Sequence, residues 1–308
     1  MRAAVIREFG EPSVVQMAEV DDPLVGPDGV LVSVRAAGVN PVDWKIVAGY
    51  LQGAYPHHLP LIPGWDVAGV VEATGPAVTT VAVGDPVLAY ARKDHVQHGT
   101  FAEKVTVPER AIARIPHGVG FAPAAGLPLA GLTAEQLLDA TEVDKDQTVL
   151  VHNAAGGVGT FAVQLAGLRG ARVLGTAGPH NHDYLRSLGA EPVEYGEGLV
   201  QRVRDLAPDG VDAALDFAGG DALTATRDLL TSEGRVGSVV DPAVLSERGG
   251  RYVFVRPDAD MLARLAGHAA DGRLRVEVSE TYPLERAADA LARSKEGHTR
   301  GKLVVTVA

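Results

Sequence analysis

A turn made almost wholly of alanine and glycine, Asn153-Ala154-Ala155-Gly156-Gly157-Val158-Gly159, joins the apolar run Thr148-Val149-Leu150-Val151 to a helix-forming stretch that begins Thr160-Phe161-Ala162-Val163. The first N–H groups of such a helix have no intrahelical partners, and together with the helix dipole they favour an anion. The turn therefore suits a dinucleotide pyrophosphate, which a side chain at Gly156 or Gly157 would hold away. The pattern Ala154-x-Gly156-x-x-Gly159 is one glycine short of the full fingerprint, so the expectation leans on strand–turn–helix context and on alternating strands downstream.

Both are present. Strand-like runs at 149–152, 172–176, 193–195, 213–217 and 235–240 alternate with helical segments from about residue 120 to 275. This spacing predicts right-handed βαβ units in a doubly wound parallel sheet. Residues 1–118 have another texture, with short β-rich pieces at 29–36, 67–73, 83–89 and 101–108 punctuated by Gly and Pro, which predicts a compact β-barrel-like domain. A helix near 284–294 and a strand at 302–307 are expected to return to that first domain. The predicted organisation is an α/β chain: domain 1–118, completed by 276–308, and a dinucleotide-binding domain 119–275, with the ligand site in the cleft between them.

Composition narrows the partners. The net charge is −11, from 28 basic and 39 acidic residues with no basic block, which argues against nucleic acid or an anionic membrane surface and for a small molecule. No signal-peptide core opens the chain and no run of about 18 apolar residues occurs, so a soluble cytoplasmic protein is expected. The absence of cysteine excludes disulfides, thiol nucleophiles and thiolate metal sites. His57-His58, His95-x-x-His98 and His180-x-His182 are read as polar loop residues, and no metal is expected.

Further landmarks occur in order: Ala37-Gly38-Val39-Asn40-Pro41-Val42-Asp43, Leu61-Ile62-Pro63-Gly64-Trp65-Asp66-Val67-Ala68-Gly69, Gly84-Asp85-Pro86-Val87, Gly99-Thr100-Phe101-Ala102-Glu103, the glycine turn, and Thr299-Arg300-Gly301-Lys302. In this series the chain resembles the medium-chain dehydrogenase/reductase superfamily, and within it the zinc-independent quinone oxidoreductase and enoyl reductase branch. The resemblance implies a Rossmann domain plus a GroES-like catalytic domain. Zinc-dependent relatives carry a catalytic Cys where this chain has Asn40 and a His where it has Trp65, so the three-ligand site that catalytic zinc needs is lost. Without that Lewis acid, alcohol oxidation is disfavoured. Hydride addition to a quinone or other α,β-unsaturated carbonyl remains natural, since conjugation already makes the carbon electrophilic.

For the cofactor, an NAD site usually ends its second strand with an acid about 20 residues past the glycine turn. Here the segment reads Gly175-Thr176-Ala177-Gly178, with no carboxylate before Asp183, which predicts NADPH. Related quinone oxidoreductases hold the 2′-phosphate with a Lys just beyond this turn and a Tyr after the next strand. Tyr195 matches the Tyr, and Asn181 or His182 is the expected substitute for the Lys. The expected cofactor contacts are thus Ala154, Gly156, Gly157, Val158, Gly159, Thr176, Ala177, Asn181, His182 and Tyr195. Phe217 and Ser238 are expected at the nicotinamide-ribose end, with Thr133 opening the linking helix and Arg300 reaching in from the tail.

The resemblance puts the Asn40 turn beside the nicotinamide. Asn40, Asp43 and Tyr50 are the catalytic candidates, Asn40 for the substrate oxygen and Tyr50 as a donor, and Lys45 and Trp65 are expected to line the cleft. The leading expectation is NADPH-dependent reduction of a quinone or enone by a homodimer paired through the apolar stretch Arg251-Tyr252-Val253-Phe254-Val255. One alternative is a dedicated enoyl reductase on a polyketide or acyl intermediate. Another is a non-catalytic NADPH-binding structural or regulatory protein.

Overall fold

Val149, Leu150 and Val151 are wholly buried, as a central parallel strand covered on both faces must be. The strand Thr148–Val151 lies third in a six-stranded sheet whose order is Glu191–Val193, Arg172–Thr176, Thr148–Val151, Val211–Asp216, Leu230–Ser238, Gly250–Tyr252. All of its pairings are parallel, with Val149 opposite both Val173 and Ala213. In chain order this is 3-2-1-4-5-6, the doubly wound arrangement that binds ligands at the carboxyl ends of its strands where the order reverses. Leu150, Leu174, Val203, Ala214 and Val236 form the core beneath it.

The computed structural model describes residues 1–308 and divides into two compact units, Met1–Leu132 with Arg256–Ala308, and Thr133–Val255. Both divisions fall inside the stretch 119–275 that the sequence suggested for one domain. Close packing explains the difference. The helix Phe121–Gly126 lies so near the strand Gly29–Val39 that a Cβ on Gly38 would come 2.2 Å from the Ala125 carbonyl oxygen. Leu265, on the helix Ala259–Ala270, similarly lies 3.2 Å from where a Cβ of Gly131 would stand.

The first unit is built on a seven-stranded sheet. Its order is Val278–Pro283, Lys302–Thr306, Gly29–Val39, Asp66–Thr74, Pro86–Tyr90 and Ile112–Arg114, and Lys104–Pro108 also pairs with Gly29–Val39. The pairings are antiparallel except between Val278–Pro283 and Lys302–Thr306. The tail strand thus reaches the middle of the sheet, with Leu303 opposite Val39. No helix is long and apolar enough to cross a membrane.

Candidate active site and cofactor cradle

Asn40 follows the last residue of the strand Gly29–Val39 and caps the helix Pro41–Val47. Pro41 supplies a fixed φ and lacks the N–H that a first turn leaves unpaired. The Asp43 carboxylate returns to the cap, its Oδ2 accepting the Asn40 N–H at 2.7 Å. The Asn40 side chain turns inward. Its Nδ2 donates to Asp66 Oδ2 at 2.8 Å, and its Oδ1 accepts from Lys302 Nζ at 2.5 Å. Lys302 also donates to the Val39 carbonyl at 3.1 Å, and Asp66 Oδ1 accepts the Leu129 N–H at 2.8 Å. Register explains the meeting. Leu303 opposite Val39 sets Lys302 beside Asn40, and Asp66 opens the strand on the other side of Gly29–Val39.

Asn40, Asp43, Asp66 and Lys302 are all buried, so two carboxyl groups and one ammonium lie together out of solvent. Burial pushes the Asp43 carboxyl up to about 8, against the pull of the Asn40 N–H, and the Asp66 charge adds to the rise. Burial likewise pushes Asp66 up to about 6, opposed first by the Lys302 ammonium and then by its hydrogen bonds to Asn40 and Leu129. Lys302 is drawn below its ordinary value by burial, with both carboxylates opposing. Asp43 Oδ1 is buried without a hydrogen-bond partner, so one carboxyl atom of the set remains available to carry a proton. Neither Asp66 nor Lys302 was singled out from the sequence as a site residue. The available signal was a lysine leading the apolar run Leu303-Val304-Val305 and an aspartate at the head of Val67-Ala68-Gly69-Val70-Val71.

The expected hydrogen bond from Asn40 to a substrate oxygen competes with these contacts, since both polar atoms of its amide are already engaged inside the unit. Tyr50 lies differently. It is 69% exposed and rests edge-on against Trp44 at 5.8 Å, while the Lys45 ammonium stands 5.7 Å over the same indole. Trp65 is buried with its ring edge-on to Tyr90 at 6.2 Å, and the Tyr90 hydroxyl is buried without a partner. His58 and His95 have ring centroids 5.9 Å apart, but no three His, Asp or Glu side chains come together in an arrangement able to hold a metal ion.

In the second unit the glycine turn is pinned from the neighbouring strand. Thr176 accepts the Asn153 N–H on its hydroxyl at 3.1 Å and the Ala154 N–H on its carbonyl at 3.0 Å. Asn153 sits at φ 53°, a left-handed conformation that Asn tolerates better than most residues, and its amide reaches the Phe217 carbonyl at 3.4 Å. A Cβ on Gly159 would lie 2.2 Å from the Asn153 carbonyl oxygen and 2.7 Å from Ala154 Cα, so this position admits only glycine. A Cβ on Gly156 would meet the Asn153 side chain at 2.9 Å. The helix Gly159–Leu168 starts here, and the N–H groups of Gly157 and Val158 donate to no group of the protein. Bare amides at the first turn of a helix fit a pyrophosphate, so this turn meets the requirement of a dinucleotide site.

Asp216 organises the ends of the next two strands. One of its oxygens accepts the N–H groups of Ala218 and Gly219 at 2.9 and 2.8 Å, and the other accepts the Ser238 hydroxyl at 2.7 Å. Ser238 in turn accepts from Val240 and Asp241, so its hydroxyl is fully used in shaping this rim. Thr133 does not open its helix, as the sequence suggested. The helix is Pro128–Ala140, begun by a proline, and Thr133 is buried within it. Ala177 donates to the Val193 carbonyl, and His182 Nε2 lies 3.3 Å from the Ala177 carbonyl. Tyr195 is 57% exposed, and Arg300 is exposed in the tail.

The chain matches the alcohol dehydrogenase GroES-like domain over residues 26–117 and the zinc-binding dehydrogenase family over residues 188–305. It is 32% identical over 309 residues to a chloroplast envelope quinone oxidoreductase homolog of Arabidopsis thaliana, covering 94% of this chain and 93% of that protein. It is 35% identical to the chloroplastic NADPH-dependent alkenal/one oxidoreductase of the same plant, covering 99% of this chain and 79% of that protein. Among solved structures, the quinone oxidoreductase from Coxiella burnetii superposes with a TM-score of 0.89 at 32% identity, covering 100% of this chain and 99% of that one.

Proposed function

The chain belongs to the medium-chain dehydrogenase/reductase superfamily, in its quinone oxidoreductase branch, and from that premise we propose that it is an NADPH-dependent reductase of quinones and other α,β-unsaturated carbonyls. The observation that carries the reading is the Asn40 site. Where zinc-dependent relatives hold a thiolate, this chain has an amide tied on both atoms to Asp66 and Lys302. An enzyme so equipped needs a substrate activated by its own conjugation.

When bound, NADPH would be the source of the hydride that adds to the electrophilic carbon. The protein's share is binding, orientation and a proton. The amides of Gly157 and Val158 receive the pyrophosphate, and the acid-free turn after Thr176 leaves room for a 2′-phosphate. Asn40 acts as a positioning residue that fixes the head of the helix Pro41–Val47. Asp43, pushed up to about 8 by burial, keeps a proton at neutral pH on a carboxyl group hydrogen-bonded at one oxygen only. Tyr50 is exposed beside the Asn40 helix and is the proposed donor to the substrate oxygen, with Lys45 and Trp65 bordering the substrate. Thr133, Ser238, Phe217 and Arg300 complete the proposed cofactor surroundings, Ser238 through the Val240 and Asp241 amides it holds and Phe217 through the carbonyl that receives the Asn153 amide. A cysteine-free chain without a spanning helix fits a cytoplasmic enzyme.

The test is NADPH oxidation against a benzoquinone, an enone, a saturated ketone and, in reverse with NADP⁺, a primary alcohol. We expect turnover with the first two and at least about a hundredfold less with the others, unchanged by a chelator. Efficient alcohol oxidation, or activity lost in chelator and restored by zinc, overturns the reading. Tight NADPH binding without turnover of any acceptor points instead to a non-catalytic role.

A further inference from the structure

The chain has six lysines, and no cysteine competes with them for an electrophile. Lys104 bonds Asp22 and Glu72, each at 2.7 Å, Lys145 faces Asp146 at 3.8 Å, and Lys295 pairs with Glu11. The Lys45 ammonium stands over the Trp44 ring, and Lys302 is closed in the core. Lys93 differs from all of these. It lies between the strands Pro86–Tyr90 and Val96–His98, where its Nζ donates to the His98 carbonyl at 3.2 Å and enters no ion pair. It is half-buried, on the wall of a cavity of about 1010 Å³ that lies wholly within the first unit. The acids round that cavity are directed elsewhere. Asp22 is taken by Lys104 and the N-terminal ammonium, and Asp28 stands 3.9 Å from Arg110. Asp21 and Asp94 are exposed, and neither pairs with Lys93. Arg92, Arg110, His95 and His98 line the same wall and carry, or on protonation gain, its own sign of charge.

We propose that Lys93 is a covalent capture site for α,β-unsaturated carbonyls, which enter the cavity beside the exposed Leu24 and are attacked by its amine at the β-carbon. The class of electrophile rests on the function proposed above; the site itself rests on the cavity and on an amine without a counter-charge. The Nζ lone pair forms the C–N bond, and the C=C π pair moves to give an enolate. The enolate carbon then takes up the proton that the nitrogen releases. Nothing leaves and nothing is oxidised or reduced, so the addition needs neither NADPH nor the Asn40 site. An amine shielded from water with no acid beside it favours its uncharged, nucleophilic form. Burial accordingly draws Lys93 down to about 8. Against an ordinary lysine near 10.4, this is a roughly hundredfold gain in free amine at neutral pH. A less basic amine is also a weaker nucleophile, and a Brønsted slope of about 0.4 to 0.5, as for thiols, takes back roughly tenfold. The net advantage is about tenfold.

The experiment exposes the full chain, without NADPH, to methyl vinyl ketone between about pH 6.5 and pH 10, with Nα-acetyl-lysine in the same solution as the reference amine. Borohydride fixes the adducts, and peptide mass spectrometry follows each lysine in the wild type and in Lys93→Arg. At about pH 7.5 we expect Lys93 to gain the adduct about tenfold faster than the reference, with a rate that levels off above about pH 9 while that of the reference still climbs. Lys93→Arg should lose the fast adduct and keep wild-type rates at the other five lysines and a wild-type melting temperature, which reports an intact fold. A Lys93 modified no faster than the reference, or with the same pH course, overturns the proposal. So does a fast adduct in this loop that fragmentation places on His95 or His98. NADPH-dependent turnover stands or fails separately, on the acceptor assay, since labelling is done without cofactor.

Discussion

Lys302 is a buried cation. Its ammonium is held by the Asn40 side chain and the Val39 carbonyl, close to the charge of Asp66, and removing it leaves a buried carboxylate uncompensated. Breaking a buried charge set from one side typically costs about 3 to 5 kcal/mol. We therefore expect Lys302→Met to destabilise the protein by that amount in urea denaturation, and Lys302→Met/Asp66→Asn to recover part of the loss, because the second change removes the orphaned charge. Asp43 gives a pH signature of definite sign. The unfolded chain releases this proton near 3.8, whereas the folded protein keeps it to about 8. Between those values the folded state binds more protons, so the Asp43 contribution is present in full below the lower value and is lost as pH rises through the upper one. Relative to Asp43→Asn, the wild type should lose stability from pH 4 to pH 8, as read by the denaturation midpoint. A difference that grows with pH would contradict the assignment.

At the scale of elements, the glycine turn makes a sharp contrast. A methyl group at Gly159 meets backbone atoms at 2.2 and 2.7 Å, while one at Gly156 meets the end of the Asn153 side chain at 2.9 Å. Backbone cannot step aside as a side chain can. Gly159→Ala should lower the melting temperature by several degrees and weaken NADP⁺ binding at least about tenfold, with Gly156→Ala the milder of the two; equal effects would show that the turn is looser than described. This turn was legible in the sequence because its cause is local: few side chains between an apolar strand and a helix. The parallel sheet was legible for a similar reason, since its strands recur at even spacing, and the run 172–176 is the strand Arg172–Thr176. The start of the helix at Pro128, rather than at Thr133, was signalled by the proline itself but masked by the apolar residues on both sides. The buried charges were not legible, because Asp66 and Lys302 meet only through the order of strands in a sheet, and a charged residue read alone is most often a solvated one.

For the whole molecule, the six-stranded sheet ends at Gly250–Tyr252, and Phe254, Val240 and Leu245 nearby leave apolar surface exposed. A bare edge beside exposed apolar side chains invites a second copy across a twofold axis. We expect light scattering to give twice the 32.1 kDa chain mass, and Phe254→Asp to shift the population toward monomer. A concentration-independent monomer in the wild type would count against the pairing. The two units also differ in how soon they can form. Thr133–Val255 is one continuous stretch, whereas the central strand Gly29–Val39 has Asp66–Thr74 on one side and Lys302–Thr306 on the other. During synthesis at roughly 5 to 20 residues per second, that second flank stays open for roughly ten to forty-five seconds after the first is made. The last residue of the nucleotide-binding unit is made roughly two to ten seconds before Lys302, so that unit is complete in sequence before Asn40 can meet its lysine. Meanwhile only the end of the Gly29–Val39 strand from Ala36 to Val39, next to Asn40, waits for its partner, since Lys104–Pro108 already covers Gly29 to Ser33 on that side.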